Sequence, residues 1–502
     1  MDSKRPIDRR DRSLFTAVLL LMTAAFVVGL GVVHKQQLGL ALAGALLPLG
    51  SLAHRRHERP VRTTLREDSP QLSMPLVALP MSVALATQSP IASGVLLVGL
   101  SAYALSRHAA KTVHVRYRGR VAVLAMLASS LIVWSRPHNA SATLFAILCV
   151  FSITIVTTCV PSFRNALYSL HSGVGFYLVV STASYALGLR SPSAGIRVQG
   201  LSGALLFAER VLFPFAKSYA EAPAVAAAYL ASVAPMLLGI RQGRGFRIIA
   251  ALAALIVLAA ADGRVALFVG VVAFVMTLVV PVLFTRMAMP VVCLALALPF
   301  IFPIATTGTT KIFKVIQSAM GSSVRSNERV GSLNNRDIIW SNSLSHFRCC
   351  VSPTRQLFGY GVNGQYRSGA AETYIQIFSG FSSRTDTFIP VHSSSLQMLF
   401  DSGIAGMSMW ILGIIGILTV LLKRDNQSDP LAFCALAFGT VLVITAATEV
   451  TLAPGVLQLP FWLFVMLSGV STLPSTSNVL TKHFTAHGSI SGQISSAIAT
   501  PA

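Results

Sequence analysis

The residues best suited to chemistry in this chain lie between Arg336 and Gly406 and in the short turn Asp262-Gly263-Arg264. His392 stands in IPVHSSSLQMLF, at the mouth of an apolar run. A neutral imidazole there can take a proton from a hydroxyl near pH 7. The competing explanation is an interfacial histidine that merely caps a helix. Arg264 opens a second apolar run. Its planar fork suits bidentate binding of phosphate oxygens, unless it only pairs with Asp262 across the turn. Arg197, in SAGIRVQGLSG, and Arg210, in FAERVLF, are weaker candidates of the same kind, and Glu209 can neutralise Arg210. Lys217 and Tyr219 add a polar patch. Arg336 begins RDIIW, where Asp337 can neutralise it. The glycines of FGYGVNG (Gly359, Gly361, Gly364) permit turns. Gln397 and Asp401 are four apart and share a helix face. Asp401 follows His392 by nine residues, which turns it to roughly the opposite face and argues against a direct partnership.

Other chemistries find no support. The chain has no HExxH, no GxSxG and no DxD-like run, so metal-dependent and serine-hydrolase chemistry are poorly supported. It has no P-loop, which argues against ATP-driven transport.

The elements that must position these residues are apolar. The 502 residues are 54% hydrophobic and 11% charged, with mean hydropathy +0.68. That composition excludes an ordinary soluble domain and indicates an all-α polytopic membrane protein. The apolar segments number about fourteen: 14–33, 37–53, 72–88, 90–106, 120–135, 141–160, 170–188, 222–240, 246–262, 264–285, 288–305, 394–421, 430–448 and 456–472. The first reads as a retained helix, because no small-residue cleavage site follows it. Cys149, Cys159, Cys293 and Cys434 lie inside apolar segments and read as small hydrophobes. Cys349 and Cys350 are adjacent, a placement that disfavours a bridge between them.

The net charge of +22 is a topology signal and not a nucleic-acid signal, because the cations cluster in short loops. With the N-terminus inside, cytoplasmic loops and tails hold 23 of the 39 Lys and Arg. The short outer connections then hold only Lys35, Arg136 and Arg264. The expected organisation is a cytoplasmic N-terminus (1–13), eleven helices over 14–305, a large outer loop over 306–391, three helices over 392–472, and a disordered cytoplasmic tail over 473–502. His392, Arg264, Arg197 and Arg210 all fall on the outer side in this arrangement.

Three stretches resemble the O-antigen ligase and polysaccharide polymerase superfamily. ADGRVALFVGVV (261–272) is similar to the family's segment in which a small residue and an arginine open a span. RDIIWSNSLSHF followed by LFGYGVNG (336–364) is similar to its approach to the large outer loop. VHSSSLQMLFDSGIAG (391–406) is similar to its histidine segment. The resemblance covers about residues 190–420.

The resemblance implies a GT-C-like membrane glycosyltransferase on the periplasmic face of a bacterial inner membrane, needing no metal or other cofactor. The donor would be a glycan on undecaprenyl pyrophosphate, and the anomeric carbon would invert. Residue by residue, it implies His392 as base for the acceptor hydroxyl and Arg264 as the cation for the pyrophosphate. Arg197, Arg210, Arg336 and Tyr360 would help to bind substrate. Tyr366, Tyr374 and Phe378 could stack on sugar rings or pack the loop onto the bundle. Flippase and chain-length proteins would be partners, along with the lipid bilayer. Repeat-unit polymerisation is the first expectation. Transfer of finished glycan to lipid A–core or protein is the alternative, and a lipid-linked sugar flippase is a third.

Overall fold

The structure is a computed structural model and describes residues 70, 72–108, 120–135, 140–160, 162–189, 191, 211–240, 242–261, 263–305, 336–375, 389–425, 430–456 and 458–473. Among them there are helices and no strands. The expected helices over 14–33 and 37–53, the two chain ends, Arg197, Arg210 and Phe378 lie outside the described residues.

Each apolar segment that falls within the described residues is helical, as backbone without water to bond must be. In chain order the helices are α1 Met74–Ala84, α2 Pro90–His108, α3 Arg120–Trp134, α4 Ala140–Thr158, α5 Phe163–Ala186, α6 Glu221–Gly239, α7 Arg244–Ala260, α8 Arg264–Val279 and α9 Pro281–Ala305. Three shorter helices follow: α10 Arg336–Cys350, α11 Pro353–Phe358 and α12 Gly364–Arg367. The chain then forms α13 Ser394–Asp425, α14 Pro430–Ala446 and α15 Leu459–Ser471. By length and composition, Glu221–Gly239, Pro281–Pro303 and Ser394–Arg424 can each cross a membrane.

The structure departs from the sequence reading in several places. Helix α5 begins at Phe163, ahead of the apolar run at 170, because Ser162 caps it: the Asn165 amide donates to Ser162 Oγ at 3.3 Å. Arg164 and Asn165 hide that first turn from hydropathy. The break between α8 and α9 falls at Val280, earlier than the gap read after residue 285. Pro281 sets it there, since its missing N–H costs nothing in the first turn of a helix. The polar stretch from Arg336, read as loop, forms α10 instead. Ile339, Trp340, Ser343, Leu344 and Phe347 are its buried face, at helical spacing. Cys349 and Cys350 are joined by a disulfide, contrary to the expectation from their adjacency. The pair sits where the chain leaves α10, so the bridge does not have to fit inside continuing helix.

Helix α6 is the axis of one half of the bundle, buried continuously from Glu221 to Ala234 and flanked by α7, α8 and α14. Its alanines allow close approach: a Cβ on Gly270 of α8 would stand 3.0 Å from Ala227. Helix α13 is the axis of the other half and packs on α3 and α14.

One end of the bundle collects several helix starts. The Glu221 carboxylate accepts the Leu459 amide at 2.5 Å, which ties the start of α6 to the start of α15. Gly263, just before α8, rests on Pro223 of α6. The α14–α15 connection lies against the first residues of α13, joined to it by Ser394.

Candidate active site

His392 lies two residues before α13 and does not cap it. Ser393 does: its carbonyl accepts the Gln397 amide at 2.9 Å and its hydroxyl accepts the Leu396 amide at 3.5 Å. The His392 backbone is left-handed, with φ 49°, a conformation that costs a non-glycine residue about 1 kcal/mol or more. That backbone accompanies an imidazole directed away from the cap. Its Nδ1 lies 3.3 Å from Glu449 Oε2. The other oxygen of the same carboxylate, Oε1, is ion-paired with Arg336 Nη2. The His392 and Glu449 side chains are 25% and 28% exposed and Arg336 is 13% exposed. The group is therefore shielded on the arginine side and open on the histidine side.

The surrounding structure holds this arrangement from both sides. Ser394 Oγ donates to the Glu449 carbonyl at 2.9 Å and accepts the amides of Thr451 and Leu452, each at 3.0 Å. The Trp410 indole donates to the Leu452 carbonyl at 3.1 Å, and the Trp134 indole to the Pro454 carbonyl at 3.2 Å. Trp340 of α10 donates to the Val391 carbonyl at 3.0 Å, just before the histidine. Three buried or nearly buried tryptophans thus fix the backbone that carries His392 and Glu449. Such fixing limits the reorganisation needed at the moment of reaction.

The FGYG turn is bolted to α13 below the histidine. Gly403 interrupts that helix with φ 67°, ψ −170°, a conformation essentially confined to glycine. At the interruption the Phe400 and Asp401 carbonyls accept the amides of Tyr360 (2.9 Å) and Gly361 (2.8 Å). Contact is close enough that a Cβ on Gly403 would meet the Leu357 carbonyl at 2.3 Å, and one on Gly359 would meet Asp401 O at 2.4 Å. Asp401 completes the joint. Its Oδ1 accepts the Gly364 amide and Gln397 Nε2, both at 2.7 Å, and Gln397 also donates to Gln365 Oε1 at 2.6 Å. Asp401 therefore serves α12 and not His392.

Arg336 meets Glu449 and not the adjacent Asp337 as its ion-pair partner. Arg264 is exposed at the start of α8, at the bundle end that α6, α8 and α15 share. Tyr360 is half-buried; the Arg355 guanidinium lies 5.3 Å from its ring centroid, and Arg367 donates to its carbonyl at 3.0 Å. Tyr366 is exposed, whereas Tyr374 is buried and donates to the Ile389 carbonyl at 3.2 Å. At 1% exposure the Tyr374 ring packs the segment, and the same burial pushes the phenol above its ordinary range. A groove of about 310 Å³, lined by Leu131, Ile132, Ser135 and Phe358, opens between α3 and the FGYG turn.

Glu449 escaped the sequence reading. It sits in TEVTLAPG, which looks like a plain connection between two apolar runs. The available signal was topological: a carboxylate at a helix end on the same side as His392.

Residues 247–411 match the sequence model of the O-antigen ligase family. The matched span begins in α7, includes Arg264, Arg336 and His392, and ends within α13. It bears out the resemblance read from the three motifs. No curated protein matches the chain.

Proposed function

From this O-antigen-ligase-type segment, with its half-buried histidine at the mouth of α13, we propose that the chain is a membrane glycosyltransferase that polymerises lipid-linked oligosaccharide repeat units. The observation that carries the reading is His392, one-quarter exposed at the mouth of α13 on a backbone that Trp340 braces. The donor is a glycan on undecaprenyl pyrophosphate, and the reaction takes place on the periplasmic face of a bacterial inner membrane. Both termini would be cytoplasmic, with about fourteen helices in a GT-C-like arrangement. Flippase and chain-length proteins supply and limit the chain.

In the reaction, the acceptor oxygen attacks the anomeric carbon as the bond from that carbon to the pyrophosphate oxygen breaks. The hydroxyl proton passes to His392, and undecaprenyl pyrophosphate leaves with inversion at carbon. General-base help of this kind contributes ~10²–10⁴-fold in rate. Arg264, with Arg197 and Arg210, would hold the pyrophosphate and offset its growing charge, since guanidinium forks bind phosphate oxygens bidentately. Tyr360, half-buried with Arg355 against its ring, would contact a sugar of the substrate. The groove at Leu131, Ile132 and Phe358 suits a polyprenyl chain.

The family description favours a second reading, transfer of finished glycan to lipid A–core or protein. The test is purified protein supplied with lipid-linked repeat units. Longer lipid-linked chains mean polymerase, and transfer only to an added acceptor means ligase. Transbilayer movement without new bonds overturns both readings.

A further inference from the structure

We propose that Glu449 is the positioning residue of the reaction and that Arg336 serves this carboxylate and not the substrate. This rests on the reading of His392 as the proton acceptor. The two oxygens of Glu449 do different jobs. Oε2 faces His392 Nδ1 at 3.3 Å, and Oε1 is ion-paired with Arg336. An ionised carboxylate can only accept, so Nδ1 carries the proton and Nε2 is the basic nitrogen. A ring nitrogen lacking such a partner divides its time between tautomers and orientations. The pairing therefore selects one tautomer and stabilises the imidazolium once the acceptor proton has arrived.

Arg336 makes the carboxylate reliable. At 13% exposure it is the most shielded member of the group, and its fork holds Oε1 while Oε2 faces the imidazole. The backbone supports the same conclusion. Ser394 holds the Glu449 carbonyl and the amides of Thr451 and Leu452, so the carboxylate and the imidazole are mounted on one hydrogen-bonded unit. A surface ion pair formed by chance would not be braced through main chain on both sides. The proton balance is simple: the acceptor hydroxyl loses a proton to Nε2, Nδ1–H stays on the ring facing Glu449, and water later takes the proton from Nε2.

The experiment uses the full chain in detergent or vesicles, with undecaprenyl-pyrophosphate-linked glycan extracted from a strain lacking this protein. Glu449→Gln should lower kcat by roughly 10²-fold or more with KM for the lipid-linked glycan nearly unchanged. Glu449→Asp should recover part of that loss. In a His392→Ala background, Glu449→Gln should cost nothing further, because groups that act as a unit are not additive. Glu449→Gln leaves Arg336 uncompensated, so the pair Arg336→Met with Glu449→Gln guards against a folding failure. It should restore accumulation and leave kcat low. Normal kcat in either Glu449→Gln protein overturns the proposal, as does a further loss of activity in the His392→Ala background. If His392→Ala itself retains full kcat, the glycosyltransferase reading of His392 fails instead, which separates the two failures.

Discussion

At one end of the bundle a histidine and an arginine share a carboxylate; toward the other end a histidine and an arginine lie close together without one. In the first region Arg336 and His392 both address Glu449, and all three side chains retain some exposure. In the second, Arg247 of α7 donates to the Gln242 carbonyl at 2.6 Å and to Ile240 O, beyond the last turn of α6. His171 of α5 meets Ser232 at 3.1 Å and stacks on Tyr229 with centroids 4.4 Å apart. Both are essentially buried, and among the described residues no carboxylate pairs with Arg247. Residue type alone would rank the two regions equally. The differences are a carboxylate facing the imidazole, and partial exposure of the side chains. Arg247 satisfies helix-end carbonyls, which is a structural task.

The comparison predicts unequal effects of substitution. His392→Ala should have the largest, a loss of ~10²–10⁴-fold in transfer with normal membrane accumulation. Polymer length in cells and protein level by blotting would check it, and a full-length polymer would remove the distinction between the regions. Arg264→Ala should cost roughly 10²–10³-fold, with Arg264→Lys less damaging, as expected for a cation facing developing phosphate charge. Its check is the initial rate at saturating lipid-linked glycan. Gly403→Ala should act through the fold. The added methyl meets the Leu357 carbonyl in a backbone conformation alanine resists, so stability should fall by at least about 2 kcal/mol. A lower thermal midpoint in detergent, with activity lost in proportion to folded protein, would confirm it. Arg247→Met should be mildest for chemistry. Stability should drop by about 1–3 kcal/mol as the carbonyls lose their donor, while activity per folded molecule stays within about twofold. A kcat defect without a stability defect would show that the second region is also functional.

The parts of this molecule that were legible in the sequence were those fixed locally. Apolar runs in lipid have helix as their available form, so α6, α8 and α14 could be read from composition. The histidine and arginine motifs carried the family resemblance because they lie at helix starts, where spacing is preserved in one dimension. Capping and proline chemistry moved boundaries that hydropathy alone misplaced, as at Ser162 and Pro281. What stayed hidden was long-range. Glu449 stands 57 residues from His392 and 113 from Arg336, and only the return of the α14–α15 connection over α13 brings them together. The joint between Gly359 and Gly403 was hidden for the same reason. Gly359 read only as a turn, and nothing near it in sequence revealed Gly403 as its partner.

As proposed above, His392 drives formation of a glycosidic bond from a lipid-linked donor. The most direct measurement places the purified wild-type chain and His392→Ala in vesicles with undecaprenyl-pyrophosphate-linked repeat units and follows the length of the lipid-linked product. Wild type should yield longer chains with release of undecaprenyl pyrophosphate, and His392→Ala should yield ~10²–10⁴-fold less of both in the same time. Equal elongation by both proteins, or movement of the donor across the bilayer with no new bond, would rule out that role for His392.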